Sequence, residues 1–286
     1  MEIGIGLPTT IPGVEGRQLV EWSRRAERAG FSTLGTIDRV VYPNYEPLIG
    51  LAAAAVVTER IRLTTAILIL PLRLNATLVA KQAATIQHLS DGRLVLGLAV
   101  GVRPDDFEAG GVPFEGRGKR FEEMLEDMQR IWAGEERGYA GAIGPDVSEN
   151  PPSVIIGGQV DAAFRRAASY GDGWIMGAQP PDALADARPK LEAAFQDAGR
   201  DDRPRALALT YFSLDDDPEE QTRRTIGHYY SFIPEYAEVA VADTAKGEDA
   251  VKERVRAFEE AGCDELIAFP ASSDPEQVDR LAAAVL

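Results

Sequence analysis

The chain alternates short apolar segments with stretches of helical periodicity, and this alternation repeats eight times over its 286 residues. Such alternation is typical of a parallel sheet with right-handed crossovers, and eight units of this kind close into a barrel. A doubly wound open sheet is the alternative, but the first and last units are of the same kind and no stretch resembles a linker between domains. We therefore predict one α/β domain over residues 1–286, a (β/α)8 TIM barrel with insertions. The predicted strands are residues 3–7, 33–37, 63–68, 94–100, 153–156, 173–177, 206–212 and 265–269.

The helices that follow the first four strands are predicted from their apolar spacing and from the turns that end them. Two stretches do not fit a simple strand and helix unit. Residues 135–152 are rich in glycine and proline, and residues 213–246 carry several aromatic side chains. Long insertions on a barrel usually serve the site or the subunit interface. The four predicted helices are residues 17–29, 47–58, 76–89 and 117–132.

Charge and cysteine content exclude several classes of partner. The formal net charge of −16 would repel nucleic acid and anionic membranes over long range. Cys263 is the single cysteine, so the chain forms no internal disulfide and has no cysteine spacing for a metal. No basic and then apolar segment precedes the first strand, and no apolar run approaches the roughly 20 residues of a membrane helix. We expect a cytoplasmic protein that binds a small molecule.

The fifth predicted strand ends in Gly157 and Gly158, and a helix follows. A glycine pair lets the backbone turn without a Cβ and present bare N–H groups to a ligand. The first turn of the helix adds unpaired amides and the positive end of the dipole. This pattern predicts either a phosphate site or a tight turn with nothing bound.

The residues that follow the other strands are mostly small or apolar and include no strong nucleophile. We find no nucleophile elbow, no paired-histidine metal motif, no Walker loop and no histidine at a strand end. Acyl transfer and metal hydrolysis are therefore not indicated, and we expect no metal. An apolar rim with a phosphate cradle suits a flat, phosphate-tailed redox cofactor that carries the chemistry itself, which indicates hydride transfer.

Three stretches give the chain a resemblance to the bacterial luciferase-like oxidoreductases, which use FMN or coenzyme F420. Residues 71–93 resemble the family's third strand exit, its Ala-Lys helix and its Leu-Ser-Gly-Gly-Arg turn. Residues 106–120 resemble a Gly-x-Pro-Phe turn that leads into Arg-Gly-x-Arg, and residues 156–174 contain the glycine pair and a Gly-Asp-Gly-Trp end. The resemblance implies a flavin- or F420-dependent oxidoreductase, and a homodimer.

The resemblance also implies where the cofactor binds. Gly157 and Gly158 would bind its phosphate through backbone amides, and Ala66 and Ile67 at the third strand exit would support its ring. In the F420 branch this exit often carries a non-prolyl cis peptide bond, which we expect here within residues 64–69. Trp174 would either stack near the cofactor or fill the barrel interior. The further expected cofactor contacts are Gly101, Arg103, Gln159 and Trp174.

The chain departs from the family after the second strand, where many F420-dependent relatives carry Asp-His and this chain carries Asp38-Arg39. Asp38 could replace the histidine as proton donor if desolvation raised its pKa. Arg39 could instead bind an anionic oxygen of the substrate or cofactor. An ion pair between neighbouring units is an equally weighted interpretation, and we assign both residues as catalytic candidates.

The predicted function is hydride transfer between coenzyme F420 or FMN and a small organic substrate. An FMN-dependent monooxygenase that uses oxygen and a non-catalytic binding member of the barrel family are the alternatives. A barrel aldolase or isomerase would need a lysine or paired carboxylates at the strand ends, and no lysine lies among the residues that follow the strands.

Overall fold

Eight parallel strands close into a barrel in the computed structural model, which describes residues 1–139 and 141–286. Around the barrel the order is β10, β1, β2, β3, β5, β6, β7 and β8, and β8 pairs with β10 to close it. The short strands β4 and β9 extend the sheet beside β5 and β8. This confirms the predicted (β/α)8 fold. The strands are β1 (Glu2–Gly6), β2 (Thr33–Thr36), β3 (Arg62–Thr65), β4 (Leu68–Ile69), β5 (Leu94–Ala99), β6 (Ser153–Gly157), β7 (Gly173–Met176), β8 (Arg205–Ser213), β9 (Ala245–Lys246) and β10 (Glu265–Pro270).

Helices surround the barrel, and local signals fix several of their ends. The Asn75 side chain caps α3 by accepting from the N–H of Leu78, and Gly30 ends α1 in a left-handed conformation with φ 96°. The sequence did not predict α4. The helices are α1 (Gly16–Ala29), α2 (Pro47–Ala55), α3 (Ala76–Leu89), α4 (Pro104–Ala109), α5 (Arg117–Trp132), α6 (Asp161–Tyr170), α7 (Pro181–Asp197), α8 (Pro218–Thr222), α9 (Pro234–Asp243), α10 (Glu248–Glu260) and α11 (Glu276–Val285), with a 3-10 turn at Leu70–Arg73 and a π turn at Arg223–Gly227.

The core has two layers, one between the barrel and its helices and one inside the barrel. Ile267 and Phe269 of β10 fill the interior on the side of β1 and β2. A Cβ on Gly6 would lie 2.1 Å from the Phe269 ring, and one on Gly35 would lie 2.8 Å from Ile267. The glycines of β1 and β2 therefore make room for the large side chains of β10.

The glycine- and proline-rich insertion lies at the amino end of the barrel, because it follows α5 and precedes β6. Lys81 Nζ donates to the Gly144 carbonyl at 2.9 Å, and Gln87 Nε2 donates to the Asn150 carbonyl at 3.0 Å. These bonds tie the insertion to α3. Of the two expected roles, residues 135–139 and 141–152 therefore do not serve a site at the carboxyl ends of the strands, and a role in a subunit interface stays a prediction.

Among residues 1–139 and 141–286, no helix is long and apolar enough to cross a membrane.

A buried carboxylate joins four strands at the amino end of the barrel. Glu265 is 1% exposed and accepts from Ser32 Oγ at 2.6 Å, Arg62 Nη2 at 2.9 Å and Arg205 Nη2 at 2.7 Å. Arg62 also contacts Glu2 of β1 at 2.5 Å. Burial opposes ionisation of Glu265, but the two arginines and the serine outweigh it and hold the pKa of Glu265 below its ordinary value.

We predict that Glu265→Gln lowers the free energy of unfolding by about 2 kcal/mol at pH 7, because it leaves two half-buried arginines undercompensated. The Glu265 pKa is lower in the folded state. Its contribution is therefore present above the unfolded pKa of about 4.3 and is lost as the pH falls through the folded pKa. Urea unfolding of both proteins from pH 7 to pH 3 measures this, and the difference should shrink at the acid end.

The control is Glu248→Gln, which removes an exposed pair with Lys252 and should change stability by less than about 0.5 kcal/mol. An equal loss in both variants would contradict the role of the Glu265 cluster.

Candidate functional site

In a parallel barrel the functional face lies at the carboxyl ends of the strands, and Asp38 lies at this face. Asp38 follows β2 and is 2% exposed. Its Oδ2 accepts from the backbone N–H of Ile69 at 2.9 Å and pairs with Arg73 Nη2 at 2.8 Å. Arg73 also bonds to Glu46 at 2.8 Å. Of the interpretations left open for Asp38, the structure shows the ion pair between neighbouring units.

Arg103 forms a second pair at the same face. Its Nε donates to Asp106 Oδ2 at 2.7 Å, and its Nη2 donates to the Asp38 carbonyl at 2.7 Å. The other Asp106 oxygen accepts from the N–H groups of Val40 and Val41. Arg103 therefore links the exit of β5 to the exit of β2. Its predicted cofactor contact stays a prediction, since the guanidinium already has these two protein partners.

Arg39 is 8% exposed and lies in a box of aromatic rings. Its guanidinium carbon is 4.9 Å from the ring centroid of Tyr42, 5.2 Å from that of Tyr229 and 4.5 Å from that of Phe232. Nη1 donates to the Tyr229 carbonyl, and Nη2 is 4.0 Å from Asp105. Arg39 thus attaches the segment after β8 to the exit of β2.

The second insertion covers the barrel mouth, as a loop that follows β8 must. We call residues 214–244 the aromatic lid. The Tyr230 and Tyr211 hydroxyls are 2.8 Å apart, and the Tyr236 hydroxyl donates to the Ala178 carbonyl at 3.2 Å. Burial raises the pKa of Tyr230 and Tyr211, so both phenols are neutral donors at physiological pH.

His228 binds the lid to the mouth from outside. Its Nδ1 lies 2.9 Å from the hydroxyl of Tyr42, in a loop after β2, and the imidazole is exposed. Burial raises the pKa of Tyr42 to about 12. The contact between His228 and Tyr42 gives His228 a role in holding the lid.

The third strand exit has the predicted cis peptide bond, between Ala66 and Ile67. Ala66 is buried, and its N–H donates to the Thr36 carbonyl at 2.6 Å. The Ile67 side chain lies over β6, where a Cβ on Gly157 would be 2.6 Å from Ile67 Cδ1. Gly157 is therefore required by Ile67, and the two predicted cofactor residues are brought together.

The glycine turn leads into α6 with its backbone donors free. Gly158 has φ 136°, and a Cβ there would lie 2.9 Å from Ala163. Within the described chain, the N–H groups of Gln159, Val160 and Asp161 have no protein acceptor. Gln159 and Val160 are exposed. Free amides at a helix start form an anion site, although the Asp161 carboxylate reduces its positive potential.

Trp174 supports this turn from outside the barrel. Its indole Nε1 donates to the Gly158 carbonyl, and its ring packs on Phe164 of α6 at a centroid distance of 5.4 Å. Neighbouring Ile175 faces the barrel interior instead. The predicted barrel-interior orientation of Trp174 is therefore wrong, and its contact with a cofactor stays a prediction.

The remaining predicted residues have structural partners. Gly101 has φ 80°, and its carbonyl accepts from Arg117 Nε at 3.0 Å. Arg166 of α6, which carries no predicted role, pairs with Glu122 at 2.7 Å. Cys263 lies at the amino end, where burial raises its pKa to about 12. Sequence reasoning gave no role to Arg73, Asp106 or Tyr229.

Two further observations limit the chemistry. Over residues 1–139 and 141–286, no group of three or more His, Cys, Asp or Glu side chains is arranged to hold a metal ion. A groove of about 410 Å³ lies between the end of α5 and the start of β6. It is at the amino end of the barrel, and no strand exit contributes to it. The carboxyl face therefore remains the candidate site.

Comparison with known proteins agrees with this geometry. The family model described as luciferase-like monooxygenase matches residues 1–285. An uncharacterized protein of Mycobacterium tuberculosis (strain ATCC 25618 / H37Rv) is 32% identical over 208 residues, which are 62% of this chain and 71% of that protein. An F420-dependent glucose-6-phosphate dehydrogenase of Gordonia bronchialis is 25% identical over 196 residues, which are 61% of this chain and 56% of the relative.

Two solved structures have the same fold. An F420-dependent secondary alcohol dehydrogenase in complex with an F420-acetone adduct has a TM-score of 0.81 at 18% identity, over 99% of this chain and 98% of that one. The oxygenating constituent of 3,6-diketocamphane monooxygenase from Pseudomonas putida, in complex with FMN, has a TM-score of 0.77 at 19% identity, over 100% of this chain and 98% of that one.

We predict that Asp38→Asn lowers the free energy of unfolding by about 2–3 kcal/mol, because the half-buried Arg73 loses one of its two carboxylate partners, both at 2.8 Å, and the buried charge of Asp38 is removed from the mouth. Hydrogen exchange should rise at residues 66–74, where the Ile69 amide is held by Asp38. Asp105→Asn is the matched control, since Asp105 is half-exposed and 4.0 Å from Arg39. If exchange at residues 66–74 is unchanged in Asp38→Asn, Asp38 does not hold this exit.

Proposed function

The chain belongs to the luciferase-like monooxygenase family and is an oxidoreductase, and we propose that it transfers a hydride between coenzyme F420 or FMN and a small organic substrate. The observation that supports this proposal is the glycine turn at Gly157 and Gly158. It places the free amides at the start of α6 close to the side chain of Ile67. A phosphate needs such amides, and a flat ring needs an apolar support.

The residues present fit a cofactor of this kind. The Gly158 turn and the first turn of α6 would bind its phosphate, and Ile67 would support its ring. Such a cofactor supplies the hydride chemistry when it is bound. The protein's own part is to orient the reactants and exclude water, and the aromatic lid has the position and the buried phenols for this.

An F420-dependent relative at 25% identity and an FMN complex of the same fold support these two cofactors. An FMN-dependent monooxygenase that uses oxygen is the alternative within the family. The acidic chain with its one buried thiol suits a reducing cytoplasm.

The outer surface of α2 supports the homodimer. Ile49 is 69% exposed and Val56, just after the helix, is 65% exposed, while Leu78 of neighbouring α3 is 51% exposed. A helix that is apolar on all sides is normally buried. We propose one chain-long domain, residues 1–286, that pairs with a second copy through α2 and α3.

Titration of the purified protein with F420 and with FMN, followed by cofactor fluorescence, tests the proposed function. We expect one of the two to bind with a dissociation constant of tens of micromolar or lower, about −6 kcal/mol or better. Gly158→Ala should weaken binding at least about tenfold, because a side chain at φ 136° next to Ala163 shifts the turn.

Gly199→Ala is the matched control, because Gly199 also has a positive φ of 73° but caps α7 at the other end of the barrel. Both variants should lose about 1 kcal/mol of stability, and only Gly158→Ala should lose affinity. The proposed function is wrong if the unmodified protein binds neither F420 nor FMN.

We predict that Ile49→Arg converts a dimer into a monomer, since a charge would be buried in the proposed interface. Light scattering gives the mass. Val239→Arg, at a 60% exposed site on α9, should leave the mass unchanged. A monomeric mass for the unmodified chain would contradict the dimer.

A further inference from the structure

The hydroxyl of Tyr229 is buried and has no hydrogen-bond partner in the described chain. Tyr229 is 4% exposed, and its ring is fixed by edge contacts with Tyr42 at 5.1 Å and Tyr230 at 4.8 Å. A buried polar group without a partner is costly, and proteins keep few of them. This hydroxyl is therefore a candidate to bind a ligand.

The other phenols of the mouth differ from Tyr229 in this respect. Tyr42 is bonded to His228, Tyr211 to Tyr230, and Tyr236 to the Ala178 carbonyl. These bonds hold the lid and need no ligand. Among these four tyrosines, Tyr229 is the one whose hydroxyl has no hydrogen-bond partner in the described chain. Its backbone carbonyl accepts a hydrogen bond from Arg39.

The Tyr229 hydroxyl lies near charged residues that follow β2 and β5, at the functional face. These residues are Arg103, Arg39, Asp38 and Asp106. Tyr229 also belongs to the buried cluster that contains Ala66 and packs on Ile67, where the proposed cofactor ring would rest. Tyr229 thus shares one buried cluster at the mouth with the residues of the cis peptide.

The charges of the mouth compensate one another. Asp38 pairs with Arg73 at 2.8 Å and Arg103 pairs with Asp106 at 2.7 Å, while Arg39 is 4.0 Å from Asp105. Each of these three arginines has a carboxylate partner, although the buried Nε atoms of Arg39 and Arg73 have no hydrogen-bond partner in the described chain. An uncharged oxygen fits a region with compensated charges better than a carboxylate or phosphate does.

We propose that the Tyr229 hydroxyl binds the reacting oxygen of a small neutral ketone or aldehyde, or of the corresponding alcohol, and exchanges a proton with it. The inference rests on the proposed function, which supplies the reduced cofactor as hydride donor. In reduction, the carbonyl carbon gains a hydride and its oxygen takes the proton of Tyr229. The phenolate left behind regains a proton from water, and oxidation of the alcohol reverses each step.

The protonation state fits this role. Burial raises the pKa of Tyr229, and the charges of Arg103 and Arg39 oppose that rise. The phenol is therefore a donor at neutral pH, and the two arginines stabilise the phenolate once the proton has left. The missing histidine after β2 would be replaced from the lid.

Stability gives the first test, and it needs no ligand. Tyr229→Phe removes an unsatisfied hydroxyl, so its unfolding temperature should equal or exceed that of the unmodified protein. Tyr230→Phe breaks the buried bond to Tyr211 and should lower it. A lower unfolding temperature for Tyr229→Phe would show that the hydroxyl has a protein partner and would overturn the inference.

Binding gives the second test. Cyclohexanone and benzaldehyde labelled with 13C at the carbonyl are added with the oxidised form of the cofactor that binds, and infrared difference spectra are recorded. The bound carbonyl band should move to lower wavenumber in the unmodified protein and in the Tyr45→Phe variant. Tyr45 is the matched control because its hydroxyl already donates to the Val14 carbonyl. The shift should be lost in Tyr229→Phe.

Carbonyl reduction should fall about 100-fold in kcat for Tyr229→Phe and stay unchanged for Tyr45→Phe. Cofactor affinity should be the same in all three proteins. Equal kcat and an equal carbonyl shift in Tyr229→Phe would overturn the role of Tyr229, and no bound carbonyl band for either probe in the unmodified protein would overturn the substrate class. Failure of the proposed function is a separate result, because neither cofactor would then bind.

Discussion

The mouth of the barrel depends on the carboxylate of Asp38. It accepts from the Ile69 amide and pairs with Arg73, while the carbonyl of the same residue accepts from Arg103. Three strand exits are thereby fixed to one buried charge, and a buried pair of this kind tolerates little change on either side. The cis peptide at Ala66 and Ile67 and the turn at Gly157 lie at the same face as these paired groups. Ion pairs and hydrogen bonds within the protein therefore position the candidate site.

The same pairing limits what the site can do. With their charges compensated, Asp38 and Arg103 orient the exits. Free donors in the described chain at this face include the amides at the start of α6, the hydroxyl of Tyr229 and the Nε atoms of Arg39 and Arg73. The amides suit a phosphate, and the hydroxyl suits a neutral oxygen. They are contributed by different elements of one face, which is what a cofactor with a phosphate tail and a separate substrate require.

The eight barrel strands were predictable because short apolar runs bounded by turns are typical of buried parallel strands. The turn after β6 was predictable because a glycine pair follows that strand. The orientation of Trp174 was not predictable. A parallel strand is buried on both faces, so Gly173 to Met176 carries no alternation that separates inside from outside. The Asp38 and Arg73 pair and the Tyr229 position depend on how strand exits and the lid meet in space. The resemblance led to the cis peptide, whereas α4 was missed because it has six residues and few apolar ones.

We propose that the glycine turn and α6 bind a phosphate whose attached ring lies on Ile67. A crystal structure of the protein in complex with F420 or FMN, whichever binds, tests this placement. We expect a phosphate oxygen within hydrogen-bond distance of the backbone N–H groups of Gln159 and Val160, and we expect the ring to lie against Ile67. A phosphate placed at the arginines that follow β2 and β5, or in the groove at the amino end of the barrel, would contradict it.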